Sequence, residues 1–93
     1  MQSVHDKAES SNLFDKGDIK VRLTSYSNFN NGNSKKDFIH VFANVMEGRT
    51  TEQKSLLSKL IVKELKHIFN EVPIISMNIR DFEKATYCNK SMV

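Results

Sequence analysis

The chain has 93 residues, a formal net charge of +3 from 14 basic and 11 acidic residues, and one cysteine. That length suits a single small domain over residues 1–93; the basic residues are mixed among the acidic ones, which argues against nucleic acid, whose partners carry clustered cations. The lone Cys88 excludes an intrachain disulfide and fits a reducing, cytoplasmic setting, no apolar run approaches the ~20 residues of a membrane span, and MQSVHDKAESS lacks the apolar core of a signal peptide.

Taken in order, Met1, Val4 and Ala8 fall on one face at helical spacing, so residues 1 to about 10 read as a helix, with no cap or turn ahead of it. Ser10, Ser11 and Asn12 fray it, Leu13 and Phe14 pack its exit, and Asp15-Lys16-Gly17-Asp18 reads as a turn. Ile19 to Ser27 alternates, with Ile19, Val21 and Leu23 against Lys20, Arg22, Thr24 and Tyr26, and predicts a strand. NFNNGNSKK, residues 28–36, is a polar loop, expected to be the most flexible part of the chain. From Asp37 to Met46 both alternating faces are apolar: Ile39, Val41, Ala43 and Val45 point one way, and Phe38, Phe42 and Met46 the other, with His40 and Asn44 among them. Such a strand is expected to be covered on both sides, inside a sheet. In so small a domain, that suggests help from partner subunits.

Gly48 ends this strand. Thr50 then serves as N-cap, with Gln53 placed to complete a capping box. A helix follows from Thr51 to about Asn70, with Leu56, Leu57, Leu60, Ile61, Leu65, Ile68 and Phe69 as its apolar stripe. Its length of roughly 30 Å matches that of the preceding strand. Pro73 stops the helix, and Ile74 to Asp81 alternates as a further strand; the tail FEKATYCNKSMV has no clear period. A short repeat is visible. Leu13-Phe14-Asp15, a turn and Ile19-Lys20-Val21-Arg22 echo Ile68-Phe69-Asn70, a turn and Ile74-Ile75-Ser76-Met77. If the halves are equivalent βαβ units, the first lacks its leading strand and the start of its helix.

Arg49 sits between a strand end and a helix N-terminus, where free N–H groups and the helix dipole favour an anion. A guanidinium there suits a carboxylate, held through two parallel hydrogen bonds. Glu47 and Glu52 oppose this unless they turn away. The plainer reading of Arg49 is a solvated arginine at a turn. Lys20 and Arg22, two apart on one strand face, would reach one cavity with Tyr26 nearby, or else form a solvated outer face. Three cations with Tyr26 would suit a substrate bearing two carboxylates. His40, between Phe38 and Phe42, reads as a hydrogen-bonded core histidine, and His5 and His67 as surface residues. These scattered histidines and one cysteine give no metal spacing. Lys59, Lys63 and Lys66 read as a wet helix face, and Cys88 has nothing beside it to activate it. No phosphate loop, dinucleotide fingerprint or catalytic serine signature is present, so neither cofactor nor metal is expected.

The segments GDIKVRLTSY, KDFIHVFANVMEGRTTEQKSLLS and ISMNIRDFEKATYCN resemble the 5-carboxymethyl-2-hydroxymuconate delta-isomerase family of the tautomerase superfamily. Relatives there include 4-oxalocrotonate tautomerase and macrophage migration inhibitory factor. The likeness runs from about Val4 to Asn89, and MEGRTTEQK is its most specific part. It implies an α+β fold of two βαβ units in one mixed four-stranded sheet with two helices on one face, here lacking the first strand. It also implies a homotrimer whose neighbouring subunits enclose the other sheet face.

The reaction implied is a proton transfer that conjugates an isolated double bond in unsaturated dicarboxylates or tricarboxylates of aromatic-compound catabolism. The family's base is the amine of an N-terminal proline, and its arginines bind substrate carboxylates and stabilise the dienolate. Arg49 matches one family arginine. The other aligns with Lys20, with Arg22 two residues on; lysine keeps the charge but loses the bidentate geometry. The implied catalytic and substrate-binding set is therefore Arg49, Arg22 and Lys20, with Tyr26 on the substrate. MQSV falls where the family has the middle of its first helix. The catalytic proline and first strand are thus expected to be missing, and the chain as written to have little isomerase activity. The alternative is a non-catalytic binding or assembly module that retains the scaffold and carboxylate pocket.

Overall fold

The computed structural model of the chain describes residues 1–15, 17–30, 32 and 36–93. Residue 16 of the expected turn and residues 31 and 33–35 of the expected loop lie outside the described residues. Helix α1 spans Gln2–Ser10, strand β1 Phe38–Met46, helix α2 Thr51–Ile68 and strand β2 Ile74–Phe82; single 3-10 turns follow at Lys84–Thr86 and Lys90–Met92. β1 and β2 pair in parallel, in register from Phe38 opposite Ile74 to Met46 opposite Phe82. A parallel pair needs a crossover, and α2 supplies it, so β1–α2–β2 is one βαβ unit of an α+β fold.

The start of α2 is written into four residues. Gly48 takes φ +118, a conformation that side chains resist, and so turns the chain off the end of β1. Thr50 Oγ1 then accepts the Gln53 N–H at 3.1 Å, and Gln53 Oε1 accepts the Thr50 N–H at 2.8 Å. This is the expected capping box, and it satisfies two N–H groups that a helix start leaves free. At the far end the Phe69 N–H donates to Leu65 O at 2.8 Å, and Pro73, which has no N–H to continue the ladder, precedes β2.

Leu57, Ile61 and Leu65, one turn apart, are buried at 3, 2 and 6% exposure and form the core with Ala8 of α1. Ile39, Val41, Ile75, Met77 and Ile79 pack against that cluster from the sheet, and Val4, Leu13, Phe14 and Ile19 from the N-terminal third. Both helices therefore serve one sheet face. The buried stripe of α2 is narrower than the sequence suggests: Leu56, Ile68 and Phe69 are exposed. Leu56 is turned about 100° from Leu57 by the helical repeat, and one sheet face with one short helix cannot cover so wide an arc.

Two further expectations concern the sheet. Within one chain β1 is covered on one face only; Phe38, His40, Phe42 and Asn44 are exposed on the other, the face for which partner subunits are expected. The predicted strand over Ile19–Ser27 also does not form: residues 18–26 carry no ladder. Alternation aligns side chains, but a strand is fixed only by an edge that takes its N–H and C=O groups. β1 and β2 use one edge each on one another. The leading strand that the four-stranded arrangement would place in this sheet is not among the described elements. Ile19 still reaches the core, whereas Leu23 is 74% exposed, so the alternation finds burial only at its start.

Candidate functional site

Arg49 is half-buried where β1 hands over to α2. Its Nε and Nη2 both donate to Leu13 O, at 3.1 and 2.7 Å, and its Nη1 donates to Met46 O at 3.0 Å. The guanidinium carbon lies 4.6 Å from the centroid of the Phe14 ring, within cation–π range. The side chain thus ties the exit of α1 to the end of β1. The sequence showed both the arginine and the aromatic exit Leu13-Phe14, but no local spacing joins residues 36 positions apart. Glu47 does turn away: its Oε1 accepts the Lys84 N–H at 2.8 Å.

Lys20, Arg22 and Tyr26 are all exposed on the irregular segment that begins just beyond Leu13 and Phe14. Among the described residues, no hydrogen bond or ion pair joins them to Arg49 or to one another. Without a ladder, the two-residue spacing of Lys20 and Arg22 does not fix them on a common face. What the structure does bring together is Arg49 and the base of the segment that carries them.

His40 is exposed on the open sheet face, not in the core as expected. The reason is register: it shares its face with Phe38, Phe42 and Asn44, away from the helices. It is nonetheless satisfied. Its Nε2 lies 2.5 Å from Asn78 Oδ1 and its Nδ1 2.6 Å from Ser76 Oγ. An amide oxygen only accepts, so in the neutral ring Nε2 carries the proton and Nδ1 accepts from the Ser76 hydroxyl. Beside this group, Phe42, Ala43, Asn44, Asn78 and Arg80 line a cavity of about 280 Å³. Asn44, Asn78 and Arg80 carry no motif, and only the strand pairing brings them together.

On α1, His5, Asp6 and Glu9 bring ligand-type atoms within 4.8 Å of one another. His5 is half-buried rather than fully at the surface, whereas His67 is exposed as expected. The Gln2 side-chain donor, followed by His5, holds the exposed Asp6 carboxyl below its ordinary value.

With this geometry in hand, the family described as 5-carboxymethyl-2-hydroxymuconate isomerase matches residues 1–93, the whole chain. The chain belongs to that family. Comparison with curated proteins gives no match. In this isomerase-family chain the Gly-Arg-Thr step that marked the resemblance is the β1–α2 junction itself: Gly48 makes the turn, Arg49 the tie and Thr50 the cap. Among the described residues, no helix is long and apolar enough to cross a membrane.

A lysine at position 49 keeps the charge but cannot fork onto Leu13 O, reach Met46 O and lie flat on Phe14 together. Arg49→Lys should therefore lower stability by about 1–3 kcal/mol and speed proteolysis between residues 11 and 19. Urea denaturation and limited proteolysis check this; a variant as stable and resistant as the parent would show that the tie contributes nothing.

Proposed function

We propose that this chain is the scaffold of an isomerase acting on unsaturated di- or tricarboxylates of cytoplasmic aromatic-compound catabolism. The observation that carries this reading is the whole-length family match, with an arginine anchored at the β1–α2 junction. Arg49 donates three hydrogen bonds to carbonyl oxygens, which leaves one N–H on each terminal nitrogen for a substrate carboxylate. Arg22, Lys20 and Tyr26, on the segment that leads away from this anchor, supply the remaining contacts when that segment folds over the substrate. Fixed cations near the reacting carbons would stabilise the negative charge of the dienolate as it develops. Copies of the chain associate as a homotrimer, using the apolar end of the open sheet face, where Phe29 packs edge-on against Phe38 at 5.4 Å and Ile74 lies opposite.

The family's base is a proline amine. The one proline here, Pro73, has its nitrogen in a peptide bond, where resonance removes its basicity. This observation favours a second reading for residues 1–93 taken alone: a carboxylate-binding or assembly module that does not itself move the proton.

The deciding experiment compares two purified proteins: these residues alone, and the same residues preceded by a proline-initiated strand and helix start. Proton transfer on an unsaturated dicarboxylate is expected only in the second. In that protein, Arg22→Gln should cost roughly 10-fold or more in turnover, the worth of a charged hydrogen bond, without touching the Leu13 tie. Equal activity in both proteins would place the base within these residues and overturn the assignment. The trimer is checked separately by sedimentation equilibrium, where a well-folded monomer at micromolar concentration would contradict it.

A further inference from the structure

Glu47 and Arg49 stand two residues apart at the β1–α2 junction, with only Gly48 between them. A free carboxylate there would be the first anion to meet the guanidinium's remaining N–H groups. It is not free. The parallel ladder runs one step past the strands, with the Glu47 N–H donating to Phe82 O at 3.0 Å, and this brings the chain after β2 alongside Glu47. Glu47 Oε1 then accepts the Lys84 N–H at 2.8 Å. We propose that the turn at Lys84–Thr86 is a latch that holds the Glu47 carboxylate off Arg49. Glu47 and Lys84 are then positioning residues that keep the guanidinium open to substrate.

Three observations carry the proposal. First, Lys84 opens the turn, where an N–H has no partner within the turn itself. Glu47 supplies that partner, and a bond to a carboxylate is stronger than one to a neutral acceptor. Second, the turn is braced. The Tyr87 N–H donates to Lys84 O at 3.3 Å, and the Tyr87 ring packs on Phe82 with centroids 5.4 Å apart. Phe82 is paired in β2, so the ring contact fixes the turn to the sheet. Third, the carboxylates beside Lys84 in sequence are engaged as well. Asp81 Oδ2 lies 3.0 Å from Lys54 Nζ, and Glu83 Oε2 accepts from the Thr86 hydroxyl at 3.4 Å. The three hydrogen bonds of Arg49 go instead to carbonyl oxygens. Releasing Glu47 would place a mobile carboxylate two residues from a guanidinium, where opposite charges attract. The pair would occupy the N–H groups that a substrate needs, a consequence that rests on Arg49 binding carboxylate as proposed above.

The test removes one N–H. Lys84→Pro deletes the donor and suits the backbone, because proline is favoured at the first position of a helical turn and the preceding Glu83 is already extended, at φ −72 and ψ 124. Lys84→Ala, which keeps the N–H and loses only the side chain, is the control. Each ¹⁵N-labelled full chain is titrated with trans,trans-muconate, an unsaturated dicarboxylate, and followed by NMR at Arg49 Nε. Lys84→Ala should behave as the parent. Lys84→Pro should move the Arg49 signal before any ligand is added. It should also weaken muconate binding about threefold or more, the scale of an exposed ion pair. Adding Glu47→Gln to Lys84→Pro should reverse both changes, which a merely structural role for the turn would not allow. If Lys84→Pro does not fold, Tyr87→Ala, which unbraces the turn, should move the Arg49 signal in the same way and be reversed by Glu47→Gln. A folded variant of either kind that matches Lys84→Ala, or changes that persist after Glu47→Gln, would overturn the latch. An Arg49 signal that depends on Glu47 in the variants, with no muconate bound by the parent, would support the latch and overturn the role of Arg49 in the function proposed above.

Discussion

One guanidinium ties the exit of α1 to the end of β1, on top of the apolar packing that α1 shares with α2. Arg49 takes Leu13 O with its Nε and Nη2 and Met46 O with its Nη1, and lies against the Phe14 ring. The β1–α2–β2 unit has a buried stripe and a continuous parallel ladder to hold it. The N-terminal third has much less. α1 is a nine-residue helix, shorter than the roughly 12–15 residues at which isolated helices become even marginal in water. Its buried contribution to the core is Ala8 alone. Val4, Leu13, Phe14 and Ile19 pack against the core half-buried, and the charged hydrogen bonds to Leu13 O, each worth more than a neutral one, add a directional hold on the chain where it leaves α1. The described residues from 17 to 26 follow from that contact.

Much of this architecture was legible in the sequence, because it is written in local chemistry. Thr50 and Gln53 form the capping box that their spacing announced, Gly48 turns the chain with a positive φ, and β1 and α2 start within a residue or so of where the pattern places them. What the sequence misjudged were properties that depend on a neighbour. Ile19–Ser27 has the alternation of a strand but no edge to pair with, and His40 has the setting of a core residue but faces outward with its strand. Leu56 and Phe69 belong to an apolar stripe wider than the surface available to cover it. The Arg49–Leu13 tie and the grouping of Asn44, Asn78 and Arg80 could not be read at all, since each joins residues more than 30 positions apart.

The same dependence shapes the functional reading. The membership of the isomerase family is carried by the whole chain, and its most specific stretch is also its best-defined local structure. Lys20, Arg22 and Tyr26, by contrast, lie on the segment whose ladder is absent, so their geometry awaits whatever pairs with it. On the open sheet face the His40–Ser76–Asn78 group, joined side chain to side chain, separates Phe38 and Ile74 from Asn44 and Arg80.

Arg49 is held at rest by Leu13 and, as proposed, answers a carboxylate with its remaining N–H groups. Hydrogen exchange at arginine Nε, measured by NMR on the full chain with and without an unsaturated dicarboxylate, tests this directly. Arg49 Nε–H should exchange markedly more slowly than that of the exposed Arg22, and ligand should shift the Arg49 signal while leaving it protected. An Arg49 Nε–H that exchanges as fast as that of Arg22 would mean that the tie is not made, and the arrangement built upon it would fall.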